Sequence, residues 1–457
     1  MPSLPPPRLA ELRSDFENVL AVLETCDAVD KTLAVPSEEF ARRQRAVRAA
    51  LSAAGFEAGF VFSDEHYAGD VPYLAGNTNI SIEQVAGVMS ETGFHVIAGL
   101  EGGYVVEQLA SRANAIVHKV ELLQLADAAY PIDAERLEDV FRAATGAAPG
   151  AHGPLALLTP RQVIPDGIVA ALEALYGSDG VVDAQELFYT IKYEKSDIEM
   201  ALTRDAARIG DAMMRAMLAV LRPGQLETQV AAWAYWVARE LGAEEMGFDV
   251  MVGANTANRT LIGKALNRPI RAGDYVHLGA APKRDGLNAC VRRSVVATDG
   301  ATPLTDDQRF WFDFVEEAYQ VADTAYRKVA AEALPARLHE QALVDYFISR
   351  QPDVSRRVGR PIDLVRQKPY TSVHNGGYTE CQEFYGAITL TSDAPLGKQI
   401  VNMLDVAIRG GGDYWDDIVI PGLEYVVIEN TLGKSGPEVE CFSHIPAIPQ
   451  ALVGRVA

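Results

Sequence analysis

Residues 373–385 concentrate side chains that could carry out chemistry. Glu380 and Glu383 flank Cys381, and paired carboxylates can divide acid and base roles when their environments differ. The alternative for these acids is a solvated turn or strand. Cys381 could act as a nucleophile, which would require a base in contact with its thiol. His374 stands before a Gly-Gly pair that allows close approach of a ligand to the backbone, so it is the candidate for proton transfer.

The chain that must position these groups has 457 residues, enough for two hydrophobic cores. Its composition is globular, with 48% hydrophobic and 23% charged residues. The formal net charge of −21 would repel phosphate backbones and anionic lipid. We therefore expect neither nucleic acid nor a membrane as a partner, and solubility alone is sufficient to explain the charge.

The lack of recognisable targeting signals, together with the cysteine usage, predicts a cytoplasmic protein. No apolar run approaches the roughly 20 residues that span a bilayer. The first residues lack the basic start and apolar stretch of a signal peptide. The four cysteines are widely spaced and form no C-x-x-C pair, which suits a reducing compartment and no disulfide framework.

The first predicted domain covers residues 1–185 and alternates helices with strands. Ser37 followed by Glu38 and an apolar periodicity predicts a capped amphipathic helix, which ends at Gly55. Alternation of this kind favours an α/β domain. The strand-like segments are residues 56–63, 95–98, 103–106 and 155–158.

The second predicted domain covers residues 186–457. Ser196 and Glu199 form a capping-box pattern ahead of a helix that stops at Arg222-Pro-Gly224. A second helix follows, and then two strand-rich blocks separated by a long helical region. This order predicts an α+β domain, an antiparallel sheet covered by helices. The strand-rich blocks are residues 248–298 and 371–430, and the helical region is residues 306–350.

Five short segments, in the correct order, resemble motifs of the pita-bread family that contains creatinase, aminopeptidase P and prolidase. The resemblance spans roughly residues 37–445 and implies a pita-bread C-terminal domain after a smaller α/β, creatinase-like N-terminal domain. The five segments are Val71-Pro-Tyr-Leu-Ala-Gly76, Lys195-Ser-Asp-Ile-Glu199, Arg222-Pro-Gly-Gln-Leu-Glu227, Val252-Gly-Ala-Asn-Thr256 and Ile270-Arg-Ala-Gly-Asp274.

The resemblance also implies a two-metal site, and this sequence lacks part of it. Active members hold two divalent ions with Asp, Asp, His, Glu and Glu. Gly279 stands in place of the first Asp and Cys290 in place of the second, whereas His374, Asp405 and Glu429 remain at the other positions. With five donors reduced to three, we expect no metal pair and no cofactor. A single ion held with the help of Cys290 is the alternative, and Cys290 is equally well explained as a small core residue.

Creatinase, a metal-free member of the family, implies how the surviving groups would work. It breaks a C–N bond of a guanidino acid with histidine and glutamates. By this resemblance His374 would pass a proton to a leaving nitrogen, while Glu429 and Asp405 would orient the imidazole or bind a cationic group. The alternatives are a structural histidine and carboxylates retained as hydrogen-bond acceptors.

The candidate substrate contacts are Arg293, Cys290, Cys381, Tyr73 and Asn77. Arg293 matches an arginine of the family pattern and could clamp a substrate carboxylate, or instead pair with a buried acid such as Glu429. Tyr73 belongs to the segment that ends at Gly76, and Asn77 lies in the following loop, which in creatinase-like dimers leans into the partner's site. The resemblance therefore implies a homodimer.

The sequence thus predicts a metal-independent hydrolase or lyase that cleaves a C–N bond of a small polar substrate. It would be an enzyme of the creatinase and Xaa-Pro peptidase type. The alternatives are a single-metal peptidase or lyase of the Xaa-Pro peptidase-like family and a non-catalytic pseudo-peptidase. Pocket-lining loops diverge freely in such folds, so the substrate itself is not predicted.

Overall fold

The protein is represented by a computed structural model that describes most of the 457-residue chain. The described residues are 6–76, 83–124, 134–254, 262–298, 300, 303–379 and 385–455.

A six-stranded mixed sheet forms the first half of the chain. Its strands are β1 (Ala58–Ser63), β2 (Val85–Ser90), β3 (Gly93–Ala98), β4 (Ile116–Lys119), β5 (Leu155–Leu157) and β6 (Val181–Asp183). Their order is β4-β3-β2-β1-β5-β6, with β2 antiparallel to both neighbours and the other pairs parallel. The helices of this part are α1 (Pro6–Thr25), α2 (Ser37–Ala54), α3 (Asp70–Ala75), α4 (Leu100–Leu109), α5 (Leu137–Thr145), α6 (Asp166–Tyr176) and α7 (Gln185–Tyr193).

Helices cover both faces of this sheet, which explains why β1 is buried at every position. Phe60 and Phe62 point to a core formed with α5 and α6. Val61, between them, points to a second core that contains the apolar positions of α2. The α/β character predicted from the alternation of helices and strands follows from this arrangement.

Local predictions in this region have different outcomes. The predicted cap of α2 is wrong, because Ser37 is the first residue of the helix and Pro36, at the N-cap, forms no side-chain hydrogen bond. Helix α2 ends at Gly55, whose φ of 78° supplies the left-handed cap that glycine adopts at low cost. Residues 103–106, predicted as a strand, lie instead in α4. There Gly102, Gly103 and Val106 are buried at helical spacing. A Cβ added at Gly103 would lie 2.6 Å from the Lys119 side chain, so close packing rather than strand pairing explains this glycine.

A seven-stranded sheet dominates the second half. Its strands are β8 (Met251–Ala254), β9 (Tyr275–Ala280), β12 (Val291–Val296), β13 (Val373–Asn375), β14 (Gln399–Arg409), β15 (Tyr425–Ser435) and β16 (Glu438–Cys441). The order β13-β14-β15-β12-β9-β8 is antiparallel throughout, and β16 pairs with β15. A small three-stranded sheet contains β7 (Glu245–Met246), β10 (Pro282–Arg284) and β11 (Leu287–Asn288).

Helices α8 (Asp197–Val220), α9 (Glu227–Leu241), α10 (Asp306–Glu332) and α11 (Arg337–Val358) cover one face of the larger sheet. The first pair packs on β8, β9 and β12, and the second pair on β14 and β15. Because side chains alternate along a strand, the residues between these core positions point to the opposite face. That opposite face carries the candidate site.

The N-terminal helix α1 packs on this second part of the chain. The Phe16 ring lies 5.6 Å from the Trp236 ring and 6.3 Å from the Trp233 ring, measured between centroids. Asp15 accepts a hydrogen bond of 2.6 Å from Arg222. The boundary predicted near residue 185 remains a prediction, and α1 contacts elements on its far side.

The start and stop signals of α8 match the sequence prediction. Ser196 and Glu199 form the capping box, and the helix ends ahead of Arg222-Pro-Gly224. Buried residues recur along its whole length, as expected of a helix that lies between a sheet and neighbouring helices. Among the helices of the described residues, none combines the length and apolar character needed to cross a bilayer.

Asp211 on α8 gives a testable consequence of this packing. The carboxyl group is buried, accepts one backbone bond of 2.5 Å from His444, and leaves Oδ1 without a hydrogen-bond partner among the described residues. Burial raises the pKa of Asp211 to about 6. The folded chain therefore keeps this proton to higher pH than the unfolded chain, and the free energy of unfolding falls as pH rises from about 4 to 6.

We expect Asp211→Asn to increase the free energy of unfolding at pH 8 by about 1–3 kcal/mol and to change it little at pH 4. The amide oxygen can still accept the His444 N–H, and the buried charge is gone. Urea titrations at the two pH values measure the difference, with the exposed Asp313→Asn as a control for loss of one negative charge. A variant that is less stable than wild type at pH 8 would refute this account.

Candidate active site

The register of the larger sheet brings the surviving polar residues together. Glu429 on β15 lies opposite Asp405 on β14 and, on its other side, opposite Arg292 on β12. His374 on β13 lies opposite Met403, which is two residues from Asp405 along β14 and therefore on the same face. Side-chain donor atoms of His374, Asp405 and Glu429 all lie within 4.8 Å of one another. The three residues predicted as a catalytic group therefore form one cluster.

A guanidinium group lies between the two carboxylates. Arg292 Nη1 donates to Asp405 Oδ2 at 3.0 Å and to Glu429 Oε2 at 3.2 Å. All three side chains are buried. The ion pairs are therefore shielded from solvent, and each carboxylate has a cationic neighbour that offsets the cost of burying its charge.

The remaining nitrogens of Arg292 are held by neighbours on the same face. Nε donates to His277 Nε2 at 3.1 Å, and Nη2 donates to the Tyr425 hydroxyl at 2.6 Å. Burial, followed by the charge of Arg292, lowers the pKa of His277 well below its ordinary value. His277 is therefore neutral and presents the lone pair of Nε2 to the arginine.

Tyr370 completes the set around Asp405. Its hydroxyl donates to Asp405 Oδ1 at 3.0 Å and also contacts the Tyr425 hydroxyl. Asp405 thus receives one bond on each carboxylate oxygen, from Tyr370 and from Arg292. Both tyrosines have raised pKa values, chiefly because they are buried, and remain protonated donors.

The two acids respond differently to this environment. Burial and then the charge of Glu429 raise the pKa of Asp405. Burial also acts to raise the pKa of Glu429, but the contacts with His374 and Arg292 outweigh it and lower that pKa. Glu429 is therefore the carboxylate that stays ionised most readily, and it lies next to the histidine.

His374 is the part of the cluster that solvent can reach. Its side chain is 16% exposed, whereas that of Glu429 is 1% exposed. His374 Nε2 lies 3.3 Å from Glu429 Oε1, and Nδ1 lies 3.3 Å from the Asn375 carbonyl oxygen. Both ring nitrogens therefore face acceptors, a geometry that the doubly protonated imidazole satisfies.

The two positions at which the resemblance implies metal-binding aspartates, Gly279 and Cys290, are packed by neutral atoms. Gly279 lies opposite Arg292, and a Cβ at this position would lie 3.2 Å from Arg292 Cγ. Cys290 is buried, its backbone N–H donates to Thr431, and its thiol forms a hydrogen bond that helps to lower the pKa of Glu429. Its predicted contact with substrate is not supported by this buried position.

These contacts test whether a family-type metal pair fits. The described residues supply three donor side chains in the cluster, and Nη1 of Arg292 already bonds one oxygen of each carboxylate. Two divalent ions need bridging carboxylates that Gly279 and Cys290 do not provide. The arrangement does not fit a two-metal centre.

The predicted contact of Arg293 with a substrate carboxylate is not compatible with the structure. It lies on the helix-covered face, and its guanidinium donates to the backbone oxygens of Glu429, Ile445 and Pro446 and to the Asn430 side chain. The side chain is fully buried, so no face of it is open to a substrate carboxylate. Strand alternation separates it from Arg292, the arginine that contacts the acids.

Tyr73 also lies away from the cluster. Its ring is buried between Phe188 and Tyr378, with the Arg43 guanidinium 4.4 Å from its centroid. Arg43 in turn donates to the Tyr378 hydroxyl at 2.8 Å and lies 3.3 Å from Glu199. The predicted substrate contact of Tyr73 is therefore corrected to a packing role where α2, α3 and α8 meet. The other predicted site residues, Asn77, Glu380, Cys381 and Glu383, lie outside the described residues.

Comparison with known proteins identifies the architecture. Residues 201–344 match the family described as Metallopeptidase family M24, a segment shorter than half of the chain. The chain resembles the M24 metallopeptidases. A curated relative, the uncharacterized peptidase YqhT of Bacillus subtilis (strain 168), is 22% identical over 241 residues. That alignment covers 52% of this chain and 64% of the relative's length.

Solved structures extend the likeness to the whole fold. An X-Pro aminopeptidase from Thermotoga maritima superposes with a TM-score of 0.68 at 16% identity, covering 89% of this chain and 99% of that one. The dipeptidase PepE from Mycobacterium ulcerans gives 0.67 at 17% identity, over 91% and 99%. A Xaa-Pro dipeptidase from Bacillus anthracis gives 0.66 at 17%, over 89% and 98%.

The predicted fold class is confirmed as a pita-bread domain preceded by a smaller α/β domain. The predicted enzyme class, a hydrolase of the Xaa-Pro peptidase-like type, agrees with these findings. Metal independence does not follow from them, because the matched family is one of metallopeptidases.

Sequence reasoning missed most of the residues that surround the acids. Arg292 was overlooked in favour of its neighbour, and His277, Tyr370 and Tyr425 were not singled out. One signal was available for Arg292: it stands two residues after Cys290, a position at which the resemblance implies a metal ligand. A charged residue two positions along a strand from a ligand position points to the same face.

Because Arg293 lies on the face of β12 opposite to Arg292, we predict that it stabilises the fold and does not bind substrate. Arg293→Met should lower the free energy of unfolding by about 3 kcal/mol or more, because several buried carbonyls and Asn430 lose their donor. Urea titration measures the change, with the half-exposed Arg309→Met as a surface control. If Arg293→Met proves as stable as wild type and instead raises KM for a carboxylate-bearing substrate, the assigned packing role is wrong.

Proposed function

We propose that this chain is a hydrolase that cleaves an amide C–N bond of a short peptide or a similarly small polar molecule. His374 would transfer the proton, and no two-metal centre would take part. The observation that carries the proposal is the partly exposed His374 imidazole beside the buried Glu429 carboxylate, 3.3 Å from Nε2 to Oε1.

The substrate class is supported by the names of the structural relatives. They are described as an X-Pro aminopeptidase, a dipeptidase and a Xaa-Pro dipeptidase, which act on short peptides. A guanidino acid of the kind implied by creatinase contains the same bond type and stays within the proposal. The relatives favour the peptide amide.

The proposed step needs one proton donor with access to substrate. In hydrolysis the water oxygen bonds to the carbonyl carbon, the C–N bond breaks, and the departing nitrogen takes up a proton. His374 can give that proton from Nδ1, which exchanges its contact with the Asn375 carbonyl for the substrate while Nε2 stays on Glu429, and it recovers a proton from the attacking water, so the ring ends as it began. Glu429 would hold the imidazole in place and stabilise its cationic form.

Arg292 and Asp405 would act through Glu429 in this scheme. Arg292 holds Oε2 of Glu429, which leaves Oε1 as the oxygen that faces the histidine. Asp405 balances the charge of the same guanidinium and is fixed by Tyr370. We regard both as positioning residues.

A single-metal peptidase is the second candidate, and one observation favours it. The donor atoms of His374, Asp405 and Glu429 lie within 4.8 Å of one another, and a histidine with two carboxylates is a donor set that zinc accepts. Loss of all turnover in EDTA, with recovery on adding one equivalent of zinc, would favour this candidate over the first.

The predicted homodimer, cytoplasmic location and boundary near residue 185 are part of the same proposal. The six-stranded sheet ends with β6 and α8 begins the second helix layer, which supports the boundary. Light scattering at micromolar concentration tests the dimer, and a monomer with full activity would remove it.

His374→Ala provides the direct test of the proton-transfer role. With a panel of Xaa-Pro dipeptides, other dipeptides, and ureido and guanidino acids, we expect kcat to fall by about 10²–10⁴-fold on whichever compound wild type hydrolyses. The melting temperature should change little, because the ring is partly exposed and carries little of the hydrophobic core.

His152→Ala is a matched control, since His152 is exposed on the first sheet domain. The control should keep wild-type kcat. An unchanged kcat in a folded His374→Ala protein would end the catalytic assignment, and wild type inactive on the entire panel would favour the non-catalytic reading.

A further inference from the structure

We propose that the Arg292 guanidinium is a built-in replacement for the divalent ions of this fold, so that wild-type protein takes up no metal at the cluster. The corollary is that one substitution opens the site. Because serine is small and uncharged, Arg292→Ser should let His374, Asp405 and Glu429 bind one divalent ion.

The Arg292 guanidinium occupies the space that a divalent ion would need. Nη1 lies 3.0 Å from Asp405 Oδ2 and 3.2 Å from Glu429 Oε2, which places it in the gap between the carboxylates. A zinc ion shared by the same two oxygens would lie about 2.0–2.2 Å from each. The ion would need the space that the guanidinium fills.

The positive charge of Arg292 also opposes binding of a divalent ion. Arginine stays protonated at every accessible pH, so the positive charge beside Asp405 and Glu429 is permanent. A divalent ion would enter a buried site that is already partly neutralised and would meet a like charge at close range. Binding would then require Arg292 to leave its contacts with both acids, His277 and Tyr425.

Gly279, where the resemblance implies a metal-binding aspartate, packs against Arg292. Gly279 lies directly across from it, and even a Cβ there would approach Arg292 Cγ and Met251 Cβ at 3.2 Å. An aspartate at 279 would crowd the stem of the arginine. The loss of the aspartate and the presence of the arginine are thus two parts of one packing arrangement.

This inference concerns the site of the proposed hydrolase, whose lack of a two-metal centre it explains. It is measured without substrate, so its failure and a failure of the proposed activity are separate results. A protein that hydrolyses nothing can still confirm it, and an active enzyme can still refute it.

The experiment measures binding of Zn²⁺ and Co²⁺ to metal-stripped proteins, by calorimetry for zinc and by absorption for cobalt. Wild type and His374→Ala should give the same isotherms, because the wild-type cluster binds nothing. Arg292→Ser should bind one ion per chain with Kd at least 100-fold lower than any binding by wild type. Arg292→Ser combined with His374→Ala should lose that ion.

Stability supplies a second readout if Arg292→Ser folds poorly. Without metal, this variant leaves two buried carboxylates uncompensated and should melt below wild type. Saturating zinc should then raise its Tm by roughly 5 °C or more, and should not raise the Tm of the double variant. Arg292→Lys, which keeps the charge, should bind no ion.

Two results overturn the proposal. One is a wild-type protein that binds one ion per chain and loses it in His374→Ala. The other is a folded Arg292→Ser protein whose metal binding equals that of wild type. If Arg292→Ser does not fold even with zinc, the comparison of wild type with His374→Ala decides alone.

Discussion

The contact of Arg292 with Asp405 and Glu429 is the interaction on which the site depends. Two carboxylates on adjacent strands, both buried, repel one another and lose the solvation of water. A guanidinium that bonds to both removes most of that penalty. Truncation of one partner in a buried pair typically costs about 3–5 kcal/mol, so we expect the sheet to lose stability when the arginine is removed and no other cation replaces it.

The same contact explains several residues that look unrelated in the sequence. Gly279 leaves room for the stem of Arg292, and neutral His277 accepts its Nε hydrogen. The Tyr425 hydroxyl accepts a hydrogen bond from Nη2 of Arg292. Tyr370 donates to Oδ1 of Asp405, the oxygen that the arginine does not bond. Of the three clustered side chains, that of His374 is the most exposed to solvent. Chemistry at this site is therefore expected to start there.

Local sequence signals predicted the elements well, because their causes are local. The capping box at Ser196 and Glu199 and the glycine at 55 are short-range patterns, and both act as predicted. Residues 103–106 were mistaken for a strand because two glycines that pack a helix face resemble a break in helical periodicity. The fold class came from the order of five motifs, which distant structures support at 14–17% identity.

The site was harder to predict, because its decisive contacts join residues far apart in the chain. Arg292 is separated from Asp405 by 113 residues and from Glu429 by 137, so no spacing rule links them. Residue-by-residue comparison did find His374, Asp405 and Glu429, yet it attached the arginine to the wrong face of β12. Arg293 serves the helix layer and Arg292 serves the acids, a difference that only strand parity and register reveal.

The most direct test of the account is a crystal structure of the wild-type protein grown with millimolar MnCl2, with anomalous scattering measured at the cluster. The account predicts no manganese peak among His374, Asp405 and Glu429, and electron density for the Arg292 guanidinium at about 3 Å from both carboxylates. A manganese ion bound by Asp405 and Glu429, with Arg292 turned away, would contradict it.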